Sequence, residues 1–262
     1  MKVEIYYMTG TGNTKRAAKL VQLQLKSMGH DCEVLNWIHE DFESWDAADA
    51  FGFAAPVHSF REPTPFRNNL KSLPKSPNDR HIPVFILSSC EGAVGNFYYR
   101  VAKILKKKGA TIIGVKTFYA PSNVLMWEKS IERSIDHDPS HDKAILYFAK
   151  QLPELIEKNE PLPIKRHFWS GLFAALTKDW GLRAMIRGKI KVDETLCIQC
   201  GLCAQNCIAQ CIHLDPYPKI NMKECVACLG CINLCPKDAL NAKNTIGKRR
   251  FKGLGKISVS PL

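Results

Sequence analysis

The sequence lacks any hydrophobic run long enough to cross a membrane, and its first residues carry no secretory signal. The longest apolar stretch, FWSGLFAAL, ends at Thr177 and Lys178, well short of the roughly 18 residues that a membrane span requires. The N-terminal MKVEIYYM has no apolar core behind its lysine, which a signal peptide needs. We therefore expect a cytoplasmic protein with reduced thiols, because disulfides belong to oxidising compartments.

Cysteine is scarce over most of the chain and dense in one short stretch. Only Cys32 and Cys90 come before residue 197, and the other nine of the 11 cysteines lie between Cys197 and Cys235. Such clustering in a chain without a secretion signal indicates a metal or cluster site rather than disulfides. The runs CIQCGLCAQNC and CVACLGCINLC both have the spacing C-x2-C-x2-C-x3-C.

This spacing is the bacterial ferredoxin pattern for [4Fe-4S] clusters. Three thiolates on one tight loop can hold three corners of a cube, but that loop cannot reach the fourth iron, so the fourth cysteine of each run serves the other cluster. We therefore predict two ligand sets: Cys197, Cys200, Cys203 and Cys235 for one cluster, and Cys225, Cys228, Cys231 and Cys207 for the other. Zinc is the alternative, although zinc sites usually use two separated C-x2-C pairs.

An extra cysteine lies close to the second ligand set. The first run has Ile208 instead of proline after Cys207, and Cys211 follows shortly. A free cysteine commonly packs as a small hydrophobe, and this is the favoured interpretation of Cys211. The alternative is that Cys211 competes with Cys207 as a ligand.

The first part of the chain alternates strand-like and helix-like segments. KVEIYYM, DCEVLNW, DAFGFAAPV, IPVFILSS and ATIIGVKTF are short, apolar and rich in β-branched or aromatic residues, as strands are. Helices are expected from Asn13 to about Met28, within GNFYYRVAKILKKKG, and from Asp138 to Lys158. Alternation of this kind predicts a parallel sheet with helices on both faces.

The segment MTGTGNTKRAA lies where the first strand gives way to the first helix. Doubly wound sheets bind phosphate there, through backbone N–H groups and the helix N-terminus. The segment lacks the G-K-[ST] of a nucleotide triphosphatase loop. A polar loop without lysine suits the single phosphate of a bound cofactor.

TGTGNT matches the T-x-T-G-N-T phosphate loop of flavodoxins and so resembles that family. The resemblance implies FMN, with its phosphate held by Thr9, Gly10, Thr11, Gly12, Asn13 and Thr14. It also implies a flavin ring between two later loops. The first loop comprises Pro56, Val57, His58, Ser59 and Phe60, and the second contributes Ser89, Cys90, Glu91, Gly92, Gly95 and Asn96.

Flavodoxins often place the ring between a Trp and a Tyr, and these two loops contain neither residue. His58 and Phe60 are the nearest candidates for contact with the ring. The alternative for His58 is a loop histidine that faces solvent.

The whole chain resembles the flavodoxin-ferredoxin fusion proteins called EFR-type ferredoxins. The resemblance rests on the flavodoxin loop, both cysteine runs, the linker between them and the segment APSN from Ala120 to Asn123. It implies a flavodoxin-like doubly wound α/β domain with a five-stranded parallel sheet, followed by a small α+β ferredoxin domain. We expect the FMN domain over residues 1–160, a linker over 161–189 and a ferredoxin domain with a basic tail over 190–262.

The linker contains an amphipathic segment with Phe168, Leu172, Leu176 and Trp180 toward one side. We expect this helix to pack between the domains, and contact with a membrane surface is the less favoured alternative.

The net charge of the chain is +12. Residues 160–262 carry 16 Lys and Arg against seven Asp and Glu, so the basic surplus is concentrated there. A basic surface of this kind steers acidic partners, which favours an acidic redox protein. Nucleic acid is not expected, because no recognition helix accompanies the charge.

These features together predict electron transfer between two [4Fe-4S] clusters and FMN, which converts one-electron into two-electron transfers. One alternative is an oxidoreductase in which the flavin reduces a small-molecule acceptor. Cys90, Glu91, His58, Ser122 or Asn123 would then position the substrate, although the sequence identifies no catalytic residue. A second alternative is a redox sensor or docking module that uses the tail GKRRFKGLGK.

Overall fold

The first part of the chain forms a five-stranded sheet with helices on both faces. The computed structural model describes residues 1–77, 80–121, 138–168, 190–242, 251, 253–254, 256–257 and 259–262. The elements of this first unit are β1 (Lys2–Tyr7), α1 (Asn13–Ser27), β2 (Asp31–Asn36), β3 (Ala50–Pro56), α2 (Thr64–Ser72), β4 (Ile82–Cys90), α3 (Phe97–Lys106), β5 (Ala110–Tyr119) and α4 (Pro139–Lys158).

The strands run in the order β2-β1-β3-β4-β5, and all four neighbouring pairs are parallel. This is the flavodoxin-like strand order, in which ligands bind at the carboxyl ends of the strands where the order reverses. The predicted α/β fold and its five strands are confirmed. The structure adds α2, which the sequence analysis did not anticipate.

Two apolar layers enclose the sheet. One layer joins it to α1 and α4 and includes Leu20, Leu25 and Ile145. The other joins it to α2 and α3 and is rich in aromatic side chains, including Trp37 and Phe53, whose rings lie 5.1 Å apart. All five strands are therefore covered by helices, as parallel sheets require.

The C-terminal part forms a small second unit. Its elements are β6 (Ile190–Val192), α5 (Leu202–Gln205), β7 (Ile212–Asp215), β8 (Tyr217–Ile220), α6 (Gly230–Leu234) and β9 (Leu240–Ala242). β6 pairs with β9, and β7 pairs with β8, both antiparallel. Seven cysteines belong to the apolar cluster at its centre or pack against it: Cys197, Cys203, Cys207, Cys211, Cys225, Cys231 and Cys235.

The linker begins by running back along the first unit. Leu162 donates its backbone N–H to the carbonyl of Ile112 in β5 at 2.7 Å. The predicted linker helix continues over residues 169–189, which lie outside the described residues, as do residues 122–137 and 243–250. Within the described ranges, no helix is both long and apolar enough to cross a membrane.

A buried ion pair fastens α4 to α1. Asp142 accepts from Arg16 Nε at 2.9 Å and from Arg16 Nη2 at 2.5 Å, and the two side chains are only 1% and 6% exposed. Arg16 Nη1 also donates to the carbonyl of Lys256 in the C-terminal tail, at 3.1 Å. One arginine therefore connects three segments of the chain.

We expect Asp142→Leu to destabilise the protein strongly, because it leaves the buried Arg16 guanidinium without its carboxylate. Removing one partner of a buried pair costs about 3–5 kcal/mol. The double variant Arg16→Met/Asp142→Leu should recover most of that loss, since no buried charge remains. Urea unfolding followed by circular dichroism measures both, and a double variant no more stable than the single one would contradict this account.

Candidate cofactor sites

The phosphate loop is the turn between β1 and α1. Gly12 caps the helix in the left-handed conformation, with φ 99°, which favours glycine. Its N–H donates to Thr9 Oγ1 at 3.0 Å and so tightens the turn. Among the described residues, no group accepts from the backbone N–H groups of Gly10, Thr11, Asn13 and Thr14. These donors and the helix N-terminus have the chemistry that anion sites use, as the predicted phosphate loop requires.

Two side chains of the loop reach into neighbouring segments. Asn13 Nδ2 donates to the carbonyl of Pro121 at 3.1 Å, while its Oδ1 is buried and has no hydrogen-bond partner in the described structure. A buried acceptor without a partner is rare in proteins and marks a place where a ligand donor fits. Thr14 Oγ1 lies 2.7 Å from Ser89 Oγ, which brings the end of β4 to the loop.

The first predicted ring loop is a tight turn at the end of β3. Val57 donates its N–H to the Ser89 carbonyl at 2.9 Å. His58 and Arg61 exchange two backbone hydrogen bonds of 2.8 and 3.2 Å. Ser59 and Phe60 between them have φ values of 48° and 65°, which is rare outside glycine and is frequent at functional sites.

A carboxylate that the sequence analysis missed fixes this turn. Glu62 is fully buried and binds Arg100 of α3 through two hydrogen bonds of 2.8 and 2.9 Å. Paired contacts of this kind are the strongest that arginine makes with a carboxylate. No local pattern indicates these contacts, because the two residues are far apart along the chain.

The second predicted ring loop lies against the first. Gly95 has φ 60°, and a Cβ there would collide with Phe60 Cβ. Asn96 donates its N–H to the Phe60 carbonyl at 3.1 Å. The Asn96 side chain donates to the His167 carbonyl and accepts from the His167 N–H, both at 2.8 Å. Asn96 therefore holds the linker with its side chain.

Of the remaining residues of the second loop, two are exposed and the third has a weakly reactive side chain. Glu91 and Gly92 are exposed. Cys90 donates to the Gly92 carbonyl at 3.3 Å, and burial raises the pKa of its thiol to about 11. Cys90 is therefore a neutral thiol near pH 7, and a thiol is a much weaker nucleophile than a thiolate.

The cysteines of the second unit surround two cavities. Cys197, Cys200, Cys203 and Cys235 line the first cavity. The second cavity is lined by Cys207, Cys211, Cys225, Cys228 and Cys231. Each cavity thus receives three cysteines from one run and the fourth from the other, as the two predicted ligand sets require.

The two runs repeat the same backbone conformation. Gln199 and Gly201 in the first run are left-handed, and so are Ala227 and Leu229, which stand 28 residues later. Gln210 and Asp238, each three residues after the fourth cysteine, are left-handed as well. The left-handed residues turn each loop back so that its three cysteines converge on one cavity.

Cys211 lies beside the second ligand set. Its Sγ is 3.6 Å from Cys207 Sγ and it is 1% exposed. Hydrogen bonding from the Cys211 thiol lowers the pKa of Cys207, and the hydrogen bonds with Cys207 and Cys225 raise the pKa of Cys211 itself. In the described ranges, no three His, Cys, Asp or Glu side chains are grouped to hold a single metal ion.

Comparisons with known proteins give partial matches only. No protein family model matches the chain. MJ0749 of Methanocaldococcus jannaschii, an uncharacterised protein, is 38% identical over 61 residues, which cover 22% of this chain and 24% of MJ0749. YccM of Escherichia coli K12, by its name a candidate electron transport protein, is 31% identical over 72 residues, 27% of this chain and 20% of YccM. The chain therefore matches a quarter or less of these relatives.

Solved flavodoxins resemble the first unit. An archaeal flavodoxin is 14% identical with a TM-score of 0.42, covering 60% of this chain and 99% of the flavodoxin. Oxidised flavodoxin 2 of Bacillus cereus is 17% identical with a TM-score of 0.44, covering 59% and 99%. The strand order, and not these scores, establishes the fold.

We predict that Cys207, and not Cys211, binds the second cluster. Cys211→Ala should therefore keep about eight iron atoms per chain, whereas Cys207→Ala should keep about four. Iron analysis of the two variants, purified without oxygen beside the unaltered protein, measures this. Full iron in Cys207→Ala with loss in Cys211→Ala would show that Cys211 is the ligand.

Proposed function

We propose that the protein transfers electrons between FMN on the first unit and two [4Fe-4S] clusters on the second, in the cytoplasm. The observation that carries the proposal is the pair of cavities, each lined by three cysteines of one run and one of the other. When bound, FMN would exchange two electrons in single steps and each cluster would exchange one.

The residues of the first unit fit an FMN phosphate. The loop offers backbone N–H groups at a helix N-terminus, which would donate to the phosphate. The buried, unpartnered amide oxygen of Asn13 would instead accept from a hydroxyl of the cofactor. Both predicted ring loops lie beside the phosphate loop, since Ser89 contacts Thr14 and also accepts from Val57. These residues would bind the phosphate, orient the ring and keep water from part of it.

The residues of the second unit fit iron-sulfur clusters better than zinc. A zinc ion requires thiolates about 2.3 Å from one centre, and the described side chains form no such group. The cysteines instead line two cavities, each with three cysteines from one run and the fourth from the other, which is the arrangement that two [4Fe-4S] clusters would use. The Ala227 and Ala239 N–H groups donate to Cys225 and Cys235 sulfurs at 3.4 and 3.2 Å, and hydrogen bonds of this kind tune cluster potentials.

The proposed partner is an acidic redox protein, and a small-molecule acceptor is the alternative. Residues 190–242 contain four lysines and five carboxylates, so the described part of the second unit carries no basic surplus. The other basic residues of the segment 160–262 lie in the linker and the tail. Electrostatic attraction of an acidic partner to this part of the chain would therefore depend on the linker and the tail.

We expect Asn13→Asp to weaken FMN binding about tenfold or more, which corresponds to about 1.4 kcal/mol. The new carboxylate would repel the phosphate and would no longer donate to the Pro121 carbonyl. Titration of flavin-free protein with FMN measures the dissociation constant.

Asn68→Asp is the matched control, because it makes the same change of charge on an exposed position of α2. An unchanged dissociation constant in Asn13→Asp, or equal weakening in both variants, would contradict the assignment of the phosphate site.

A further inference from the structure

We propose that the two cysteine sites have an order: an inner site of Cys207, Cys225, Cys228 and Cys231 is built against the phosphate loop, and an outer site of Cys197, Cys200, Cys203 and Cys235 meets external partners. This inference rests on the proposed function and adds the route that electrons take. Each exchange moves one electron from one site to the next, and no bond forms or breaks.

The contact between Gly230 and Gly10 carries the proposal. A Cβ at Gly230 would lie 2.7 Å from the Gly10 carbonyl oxygen and 3.2 Å from its Cα, so the two backbones touch. Gly230 directly precedes Cys231 and follows Cys228 by two residues. Because the Cα atoms of Gly230 and Cys231 are only about 3.80 Å apart, the contact of Gly230 with Gly10 places the inner site beside the predicted phosphate loop.

The repeat itself does not require glycine at this position. The corresponding residue of the first run, 28 positions earlier, is Leu202, which begins α5 as Gly230 begins α6. Gly230 also does not have the left-handed backbone conformation that would favour glycine. In the part of the chain that the structure describes, the feature that excludes a side chain at Gly230 is therefore the close approach to Gly10.

A second contact joins the other half of the inner site to the first unit. Cys207 lies between Gln205 and Gln210 in the sequence. The Gln205 carbonyl lies 2.9 Å from His39 Nε2, and Gln210 Nε2 donates to the Ile38 carbonyl at 2.7 Å. Both runs that build the inner site are thus anchored on the first unit.

The C-terminal tail contacts both units beside the Gly230–Gly10 contact. Phe251 donates its N–H to Asn233 Oδ1 of α6 at 2.8 Å, and a Cβ at Gly253 would meet the Thr11 carbonyl at 3.3 Å. Further along, Leu262 and Gln24 of α1 exchange two hydrogen bonds of 2.7 and 3.1 Å. Leu254, Ile257 and Val259 pack against the core beside α1.

Among the described residues, the outer site is the more open of the two, since Cys228 and Cys231 of the inner site are half-buried and no inner cysteine is exposed. Cys200 is the exposed member of the 11 cysteines, all of which the structure describes. Next to it, Ile198 and Leu202 line the same cavity and are 56% and 38% exposed. An external one-electron carrier therefore exchanges electrons at the outer site, and the inner site connects that exchange to the flavin.

The first test introduces side chains at the contact between Gly230 and Gly10. Gly230→Ala and Gly230→Leu should keep about eight iron atoms per chain, because Leu202 shows that the repeat accepts a side chain there. Both should raise the FMN dissociation constant, Gly230→Leu about tenfold or more, since a Cβ forces Gly10 to move. Leu202→Ala is the matched control at the outer site and should leave FMN binding unchanged.

The second test compares the loss of each cluster. Cys228→Ala removes an inner ligand and Cys200→Ala an outer one, and each should lower iron from about eight to about four. A nearby cluster quenches flavin fluorescence, so the FMN fluorescence lifetime should lengthen in Cys228→Ala and stay unchanged in Cys200→Ala. A longer lifetime in Cys200→Ala alone, or unaltered FMN affinity in the Gly230 variants, would overturn the order.

These outcomes are separate from failure of the proposed function. If the unaltered protein bound no FMN or no iron, the proposed function itself would fail. If it binds both and the inner and outer variants behave alike, the proposed function stands and the order of the sites is wrong.

Discussion

One run of C-x2-C-x2-C-x3-C does not bring its own four cysteines to one cavity, and this constraint shapes the second unit. The fourth cysteine of each run crosses to the other cavity, as Cys207 and Cys235 do. Two runs that exchange a cysteine in this way have to fold together. The small strands and one-turn helices around them contribute little core of their own, so the cysteine sites form the centre of the unit.

The same interlocking determines how the second unit meets the first. Because Cys207 and Cys231 belong to one cavity, the contacts at Gln205, Gln210 and Gly230 all bring that cavity to the flavodoxin-like unit. The tail then returns across α1, where Arg16 binds both Asp142 and the tail backbone. The phosphate loop, the inner cavity and the end of the chain are consequently one packed region.

Most of the fold of the first unit could be predicted from the sequence, because the spacing of apolar residues indicates strands and helices. Five apolar strands and three of the four helices of the first unit were expected, whereas α2 was not, since only Phe66 and Leu70 of its nine residues are buried. Motif spacing also predicts two ligand sets, and the cysteines of each set line one cavity, whereas their binding of clusters stays a prediction. The left-handed turn at Ser59 and the contacts between Glu62 and Arg100 and between Gly230 and Gly10 depend on tertiary neighbours, which no local pattern records.

The flavin, iron and acid-labile sulfide content of protein purified without oxygen tests the central claim most directly. The account predicts about one FMN with about eight iron and eight sulfide per chain. Iron without flavin would contradict the assignment of the TGTGNT loop, and zinc in place of iron would contradict the assignment of both cysteine sites.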